Sequence, residues 1–275
     1  MPELPEVETV MRGLDVALTG HIIAHAALAR RDLRWAVPDG VVQALTGARV
    51  AGFRRRGKYI LLRLDHGASL LIHLGMSGRM TIDQAPQPHQ HLTLRTASGR
   101  QIGFVDPRRF GALDLVATHA ENQHWLLAKL GPEPLERGLT PAYLARALAR
   151  KSTPIKIALL DQGLIAGIGN IYASEALHRA RINPTIPADQ LSRKQLTTLI
   201  AAIRETLKDA IAAGGSSLRD YAQPSGELGY FQHAWRVYDR AGQPCAQCPG
   251  PPQCPGITRI VQSNRATYYC PRSQP

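Results

Sequence analysis

Residues 59–74 read YILLRLDHGASLLIHL, in which two apolar runs are separated by a short polar turn. The turn Asp65-His66-Gly67 between two such runs is typical of a β-hairpin. Residues 91–105 repeat the arrangement, with Ala97-Ser98-Gly99-Arg100 between two further strand-like runs. Two hairpins of this kind predict an antiparallel β-sheet in the first half of the chain.

On either side of the hairpins the apolar residues recur at helical spacing. Val7, Val10, Leu14 and Leu18 predict a helix over residues 5–19, so residues 1–120 are expected to form one helix on an antiparallel β-sandwich or flattened barrel. After a turn-rich connector the pattern becomes helical, which makes the expected fold class α+β. The later predicted helices cover residues 141–150, 154–161, 171–179 and 193–213.

The charge balance restricts the classes of function. The 275 residues carry a net charge of +12, which favours a polyanionic partner such as nucleic acid over a merely solvating surface. The first ten residues, however, hold three Glu and no Lys or Arg, so the N-terminus is not expected to bind phosphate. The chain has no apolar run of membrane-spanning length and no signal-peptide pattern, which predicts a cytoplasmic protein.

All four cysteines lie between residues 245 and 270. In a cytoplasmic chain such clustering favours metal binding over disulfides.

Pro2 is the most distinctive residue near the start of the chain. If Met1 is removed, Pro2 becomes a secondary amine, and an α-amino group with a pKa near 8 is partly uncharged at neutral pH. Such an amine can attack an electrophilic carbon and form a Schiff base, with Glu3 beside it to move a proton. The alternative is that Pro2 only begins an extended segment and that Glu3 and Glu6 charge the first helical turn. Residue chemistry alone favours this alternative.

Five motifs, taken in their order along the chain, instead favour the interpretation of Pro2 as a nucleophile. Together they resemble the formamidopyrimidine-DNA glycosylase family, and with the cysteine tail the resemblance extends from residue 2 to residue 270. The motifs are MPELPEVETV at 1–10, RRGKY at 55–59, HLGMSG at 73–78, DPRRFG at 106–111 and GIGNIYASE at 167–175.

The resemblance implies an enzyme and a domain plan. Residues 1–120 would form the catalytic β-sandwich, residues 121–234 a helix–two-turn–helix DNA-binding domain with a lesion-capping loop, and residues 235–275 a zinc-finger hairpin. By the same resemblance Pro2 is the nucleophile at the sugar C1′, and Glu3 is the acid that helps to open the sugar. Lys58 matches a lysine that assists base excision and β-elimination, and Arg265 an arginine that contacts phosphate and helps δ-elimination.

A base inside a duplex must be flipped out before its sugar can be attacked, and the void must be filled. Met76, Arg108 and Phe110 match the filling residues of the family: Met and Phe are apolar wedges, and Arg can hydrogen-bond the unpaired base. Without the resemblance, Met76 and Phe110 would be interpreted as core residues.

Further DNA contacts follow from the resemblance. Asn170 follows a glycine turn, where it could cap the next helix while backbone N–H groups face an anion. Lys151 and His89 match phosphate contacts, with His91 as a competitor for the role of His89. Residues 215–231 resemble the loop that closes over a flipped 8-oxoguanine. Together with Leu4, this loop favours purine lesions over the oxidised pyrimidines of endonuclease VIII enzymes.

The cysteine tail departs from the family pattern of two CxxC pairs. Cys245-x2-Cys248 and Cys270 are present, but Ser273 stands where the last cysteine is expected, and Cys254 is additional. Three possibilities remain open. Cys254 replaces the lost zinc ligand, Ser273 or water completes a three-cysteine site, or no metal binds. The first is preferred, because one cysteine is gained and one is lost, and it makes the zinc ligands Cys245, Cys248, Cys254 and Cys270.

The resulting hypothesis is a monomeric base-excision repair enzyme acting on damaged double-stranded DNA. It would remove 8-oxoguanine and formamidopyrimidines through a Pro2 Schiff base, followed by β- and δ-elimination. The alternatives are an endonuclease VIII-like glycosylase for oxidised pyrimidines, a non-catalytic damage-binding protein on the same scaffold, and, more remotely, a generic zinc-ribbon protein that binds nucleic acid.

Overall fold

The computed structural model describes residues 1–216, 229–250 and 252–275. The chain divides into two compact units: Met1–Ala128 with Ile211–Gln232, and Lys129–Ala210 with His233–Pro275. The predicted α+β class is confirmed by antiparallel sheets, a helical region and a C-terminal hairpin beside the cysteines. The three-part division at residues 120 and 234 remains a prediction. Within the described ranges, no helix is both long and apolar enough to cross a membrane.

The first unit contains two antiparallel sheets of four strands each within the described residues, in the orders β1-β6-β7-β5 and β2-β3-β4-β8. Both predicted hairpins are confirmed, as β3 pairs with β4 and β6 pairs with β7. The strands are β1 Ile23–Leu28, β2 Val50–Arg56, β3 Tyr59–Leu64, β4 Ala68–His73, β5 Arg79–Ile82, β6 Gln90–Thr96, β7 Gln101–Val105 and β8 Ala112–Ala117.

Helix α1, Leu4–Leu18, lies within one residue of its prediction and anchors the N-terminus. Its buried Val7 and Leu14 belong to one core with Ile60 and Phe104 from the two sheets. A second helix, α2 at Val41–Leu45, was not predicted, because five residues are too few for a helical period to show. The burial of apolar side chains from α1 and both sheets therefore holds the start of the chain in place.

The second unit is mainly helical. Its helices begin and end within two residues of the predicted bounds, and the apolar stripe of the last one, including Leu199 and Ile203, is buried as expected. The helices are α3 Pro141–Leu148, α4 Ile155–Leu159, α5 Asn170–Ala180 and α6 Arg193–Ala212, whose last two residues belong to the first unit. Short 3-10 helices occur at Thr118–Gln123, Ala188–Gln190 and Phe231–Ala234.

The C-terminal hairpin consists of β9, Thr258–Gln262, and β10, Arg265–Tyr269. The two residues of its turn, Ser263 and Asn264, have φ values of 46° and 59°. Two successive left-handed residues make a turn whose twist matches that of the paired strands. This turn places Arg265 at the exposed start of β10.

Candidate functional site

The Glu6 carboxylate connects the start of the chain to a distant loop. One oxygen accepts a hydrogen bond from the backbone N–H of Glu3 at 2.8 Å, and the other accepts one from Ser216 at 2.8 Å. Glu3 and Glu6 are both buried, as is Pro2. Because the amide of Glu3 directly follows Pro2, Glu6 restrains the backbone at the predicted nucleophile.

The predicted lesion-capping loop, residues 215–231, lies mostly outside the described residues, which stop at 216 and resume at 229. The two ends of the loop are held together by the backbone. The Phe231 N–H donates to the Gly215 carbonyl at 3.0 Å, and Tyr230 N–H donates to Ala213 at 3.0 Å. Backbone hydrogen bonds therefore hold the two ends of the loop together, and Glu6 binds the first of these ends at Ser216.

A cavity of about 620 Å³ brings the start of the chain together with the predicted void-filling residues. Met76 and Phe110 are 41% and 42% exposed, although both are large and apolar. The Arg108 guanidinium lies 4.8 Å from the centre of the Phe110 ring. The lining residues are Met1, Asp32, Leu33, Arg34, Gly75, Met76, Arg108, Arg109 and Phe110.

Asp106 organises the two loops that carry Met76 and Phe110. Its buried carboxylate accepts hydrogen bonds from Ser77 Oγ at 2.6 Å and from the Gly111 N–H at 2.7 Å. The loops pack so closely that a Cβ on Gly75 would lie 2.4 Å from the Phe110 carbonyl carbon. The sequence motifs contained Asp106, but this supporting role was not predicted.

His73, at the end of β4, is a further residue that sequence reasoning missed. Its Nδ1 accepts a hydrogen bond from the Gly75 N–H at 3.2 Å, so a neutral ring carries its proton on Nε2. Burial, together with the charges of Arg34 and Lys58 and opposed by that of Asp106, lowers the pKa of His73 to about 4. The positive charge of buried Lys58 thus helps to keep the imidazole of His73 neutral.

The two histidines considered for phosphate binding differ in exposure. His89 is exposed, with φ of 65°, whereas His91 is buried and its Nε2 lies 2.9 Å from the Asp106 carbonyl. The side chain of His91 is therefore used inside the fold, and His89 is the one accessible to an external anion.

In the second unit, Asn170 has a different role from the one expected. Gly169 is the N-cap of α5 and Asn170 is its first helical residue, so Asn170 does not cap the helix. Its Nδ2 instead donates to the Ala266 carbonyl at 2.9 Å. Buried Lys156 also donates, to Asn170 Oδ1 and to the same carbonyl. Lys156 was not predicted, because only the packed fold brings α4 against β10.

Lys151 is partly exposed and forms an ion pair with Asp161 at 3.0 Å. An exposed pair of this kind contributes at most about 1 kcal/mol, so it does not prevent Lys151 from binding another anion.

Glu175 fastens the chain that leads into the cysteines to α5. Its buried carboxylate accepts three backbone N–H bonds, from Arg236 at 2.9 Å, Val237 at 2.9 Å and Tyr238 at 2.8 Å. Burial raises the pKa of Glu175, while these amide donors oppose the rise. The residue belongs to a quoted motif, but its partners lie too far along the chain to be predicted.

Three of the four cysteine thiols form one cluster, and the thiol of Cys254 lies beside one member of it, Cys270. The Sγ atoms of Cys245, Cys248 and Cys270 all lie within 4.8 Å of one another, and these three residues could hold a metal ion. The Sγ of Cys254 lies 3.4 Å from that of Cys270, and the Sγ of Cys248 lies 3.8 Å from it. Thiolates on one tetrahedral zinc ion are separated by about 3.8 Å, since each Zn–S bond is about 2.3 Å.

Backbone amides support the negative form of these sulfurs. Gln247, Gly256 and Ser273 donate N–H bonds at 3.4 Å to Cys245, Cys254 and Cys270 respectively, and Gly250 donates to Cys248. Burial alone would raise the pKa of Cys270, but hydrogen bonds from Ser273 bring it down to about 6. A set of sulfurs that all accept amide donors fits a zinc ion bound by thiolates.

Comparison with known proteins agrees with the fold. Residues 1–113 match the family model of the formamidopyrimidine-DNA glycosylase N-terminal domain, and residues 130–222 match that of the H2TH domain. The formamidopyrimidine-DNA glycosylase of Acidiphilium cryptum is 68% identical over 274 residues, covering 100% of both chains.

Two solved structures are similar throughout. The MutM (Fpg) protein of Thermus thermophilus is 40% identical with a TM-score of 0.88, covering 99% of this chain and 98% of its own. Lactococcus lactis Fpg, solved in complex with DNA containing an abasic site, is 34% identical with a TM-score of 0.89, covering 99% of each chain. The chain belongs to the formamidopyrimidine-DNA glycosylase family.

Proposed function

We propose that the protein is a DNA repair glycosylase and lyase that removes oxidised purines, 8-oxoguanine and formamidopyrimidines, from double-stranded DNA. The observation that carries this proposal is the cavity that joins the start of the chain to Met76, Arg108 and Phe110. A nucleophile at an anchored N-terminus beside exposed wedge residues is the arrangement that attack on a flipped nucleotide requires.

In the proposed reaction Met1 is first removed and the Pro2 nitrogen attacks the sugar C1′. The bond from C1′ to the base breaks, and the base leaves with a proton that Glu3 helps to deliver. Glu3 then gives a proton to O4′ as the C1′–O4′ bond of the sugar breaks, which leaves a positively charged iminium between Pro2 and C1′. The iminium accepts electrons in two eliminations: loss of a C2′ proton breaks the C3′–O bond, and loss of a C4′ proton then breaks the C5′–O bond. Lys58 assists excision and the first elimination, and Arg265 the second. The product is a one-nucleotide gap with phosphates at both ends.

Met76 and Phe110 fill the void in the duplex, and Arg108 hydrogen-bonds the base left without a partner. The exposure of both apolar side chains supports this assignment, because neither contributes to the core. A damaged duplex is the proposed partner, in keeping with the abasic DNA bound by the L. lactis relative. We further propose that the protein acts as a cytoplasmic monomer.

Phosphate binding is assigned to His89, Lys151 and Asn170, and we add buried Lys156 as the residue that orients the Asn170 amide. The support is the convergence of Asn170 and the Lys156 ammonium at the N-terminus of α5, where backbone N–H groups favour an anion.

We also propose one structural zinc ion held by Cys245, Cys248, Cys254 and Cys270. Bound zinc would cross-link the segment at 245–254 to the end of β10 and so stabilise the hairpin that carries Arg265. In this arrangement Ser273 supports a sulfur by hydrogen bonding and is not itself a ligand.

Covalent trapping tests the proposed function. Borohydride reduction of the protein on a duplex containing 8-oxoguanine should yield a protein–DNA adduct, and Pro2→Gly should yield at least tenfold less. Pro5→Gly is the matched control, because it changes a proline at the start of α1 without altering the terminal amine. An intact mass without Met1 is expected.

Three results would contradict the proposal in different ways. Binding of damaged DNA without any adduct would indicate a non-catalytic damage-binding protein. Faster excision of thymine glycol than of 8-oxoguanine would indicate an enzyme for oxidised pyrimidines. Full activity of a protein that retains Met1 would exclude Pro2 as the nucleophile.

A further inference from the structure

His178 is a buried imidazole that the proposed function does not use. It lies on α5 and its side chain is fully buried, with Nε2 3.4 Å from the Sγ of Cys245. Its Nδ1 is also buried and has no hydrogen-bond partner among the described residues. Sequence motifs gave no role to this position, since its sulfur partner lies 67 residues away.

The surroundings of the ring favour one tautomer. With the proton on Nε2, the N–H faces the Cys245 sulfur, and only a bare ring nitrogen is left without a partner. With the proton on Nδ1, a buried N–H donor would be unsatisfied, and such donors are rarer in folded proteins than unsatisfied acceptors. The geometry therefore makes His178 an N–H donor to Cys245.

A second side chain also lies within hydrogen-bonding distance of the Cys245 sulfur. Ser273 Oγ lies 3.7 Å from the Cys245 Sγ, in addition to the backbone N–H of Gln247 at 3.4 Å. Ser273 occupies the position where the family resemblance predicts a cysteine, so its hydroxyl faces the same cluster without supplying a thiolate. Two N–H groups and one hydroxyl thus surround this one sulfur.

We propose that His178 and Ser273 are positioning residues that hold the Cys245 thiolate as a zinc ligand by donating hydrogen bonds to it. This inference rests on the zinc site of the proposed function. Four thiolates around one Zn²⁺ carry a net charge of −2, and N–H and O–H donors stabilise that charge in a buried site. Groups of this kind commonly change metal affinity by about 10- to 100-fold.

The proposal also excludes His178 as a ligand. Binding zinc through Nε2 would require the proton to sit on Nδ1, which has no acceptor among the described residues. The link joins the metal site to α5, whose first residue, Asn170, is an assigned DNA contact. A donor at position 178 therefore orients the cysteine segment on the helix that meets DNA.

A matched pair of variants of the full chain tests this role. His178→Gln keeps an N–H donor, whereas His178→Met has a similar length and lacks one. Zinc affinity is measured by competition with a chromophoric chelator. His178→Met should weaken zinc binding 10- to 100-fold, His178→Gln should stay within about threefold of the wild type, and Ser273→Ala should lose several-fold. His91→Gln, a buried histidine of the first unit, should have no effect.

The thermal unfolding midpoint of the zinc-free protein reports on structure alone. This midpoint should be the same in His178→Met and His178→Gln. Equal zinc affinities for these two variants, whether unchanged or equally weakened, would overturn the donor role. Cobalt substitution provides a further check. If the visible spectrum of the wild type showed a nitrogen ligand that His178→Met removed, His178 would be a ligand and the proposal would be wrong. A wild-type protein that took up no zinc would overturn the metal site itself.

Discussion

At the scale of single residues, the wedge assignment rests on two apolar side chains that the fold leaves in solvent. Phe110→Ala should change the free energy of unfolding by less than about 0.5 kcal/mol, because an exposed side chain contributes little to the core. The same change should weaken binding to a duplex with an abasic-site analogue by about tenfold, since stacking on a base contributes about 1–3 kcal/mol. Titration and urea unfolding measure the two quantities.

Val16→Ala is the control for Phe110→Ala, because Val16 is an exposed apolar residue of α1 outside the cavity lining. A loss of several kcal/mol of stability in Phe110→Ala would instead make Phe110 a core residue. Unchanged DNA affinity would remove it from the wedge.

Glu6 provides a second prediction at this scale. In Glu6→Gln one of the two oxygens becomes an NH₂ donor facing a backbone N–H, so one buried amide loses its acceptor. The free energy of unfolding should fall by about 1–3 kcal/mol, and excision of 8-oxoguanine should fall with it, because both Pro2 and the base of the loop are restrained by this carboxylate. Single-turnover excision and urea unfolding give the measurement.

Glu8→Gln is the matched control for Glu6→Gln. Glu8 lies on the same helix, and its two oxygens accept from Arg12 and Arg55. A glutamine oxygen can still accept from Arg55, while the NH₂ group faces Arg12, whose exposed side chain can bind water instead. Equal losses in the two variants would show that any glutamate of α1 has this effect, contrary to the bridge described for Glu6.

At the scale of elements, the C-terminal hairpin lies beside cysteines whose spacing differs from the family pattern of two CxxC pairs. Wild-type protein should carry about one zinc ion per chain. Cys254→Ser should abolish stable zinc binding, whereas Ser273→Ala should still bind about one zinc ion at saturating metal. The reason is that a neutral hydroxyl is a poor zinc ligand, while the Cys254 sulfur lies 3.4 Å from that of Cys270.

Metal analysis after dialysis checks the zinc prediction, and chelation should lower DNA binding as the support of the Arg265 hairpin is lost. If Cys254→Ser kept its full zinc content and Ser273→Ala lost its zinc, Ser273 would be the fourth zinc ligand instead of Cys254. No zinc in any preparation would leave packing alone to hold the hairpin.

At the scale of the whole molecule, stability should depend on pH through two buried groups of the first unit. Burial lowers the pKa of His73 to about 4, against about 6.5 in an unfolded chain. Between these values the unfolded chain binds a proton that the folded chain does not. The free energy of unfolding is therefore greatest above pH 6.5 and falls as the pH drops towards 4, by about 2 kcal/mol between pH 7.5 and pH 5.

Glu121 affects the free energy of unfolding at lower pH than His73 does. Burial alone would raise its pKa, but hydrogen bonds from Arg63, Arg54 and Ser69 lower it to about 2. Its contribution is present above pH 4.5 and is lost as the pH falls towards 2. Burial also lowers the pKa of His178, in the second unit, to about 4, so His178 contributes between pH 7.5 and pH 5 as well, and urea unfolding at these pH values isolates His73 only by comparison with a His73 variant. His73→Asn can still accept from Gly75 but does not titrate, so it should lose about 2 kcal/mol less than the wild type over that interval. An identical loss would assign the pH dependence elsewhere.

Sequence patterns were enough to predict the hairpins β3–β4 and β6–β7, helices α1 and α3 to α6 to within two residues, and the motifs that contain Met76 and Phe110. These features depend on neighbours in the chain, since turn residues, apolar period and motif spacing all act over about twenty residues or fewer. The helix ends differ from their predicted positions by one or two residues because local capping decides where a terminal turn stops. At α5, for example, Gly169 is the N-cap where Asn170 was expected.

Which distant polar groups meet depends on how the chain packs. Glu6 binds an amide 210 residues away, Lys156 a carbonyl 110 residues away, and His178 a sulfur 67 residues away. No local pattern encodes such pairs, because each buried donor or acceptor takes whichever partner the packed backbone brings within about 3 Å, or somewhat more for sulfur. Packing of the core fixes the backbone, and the backbone then selects the partners.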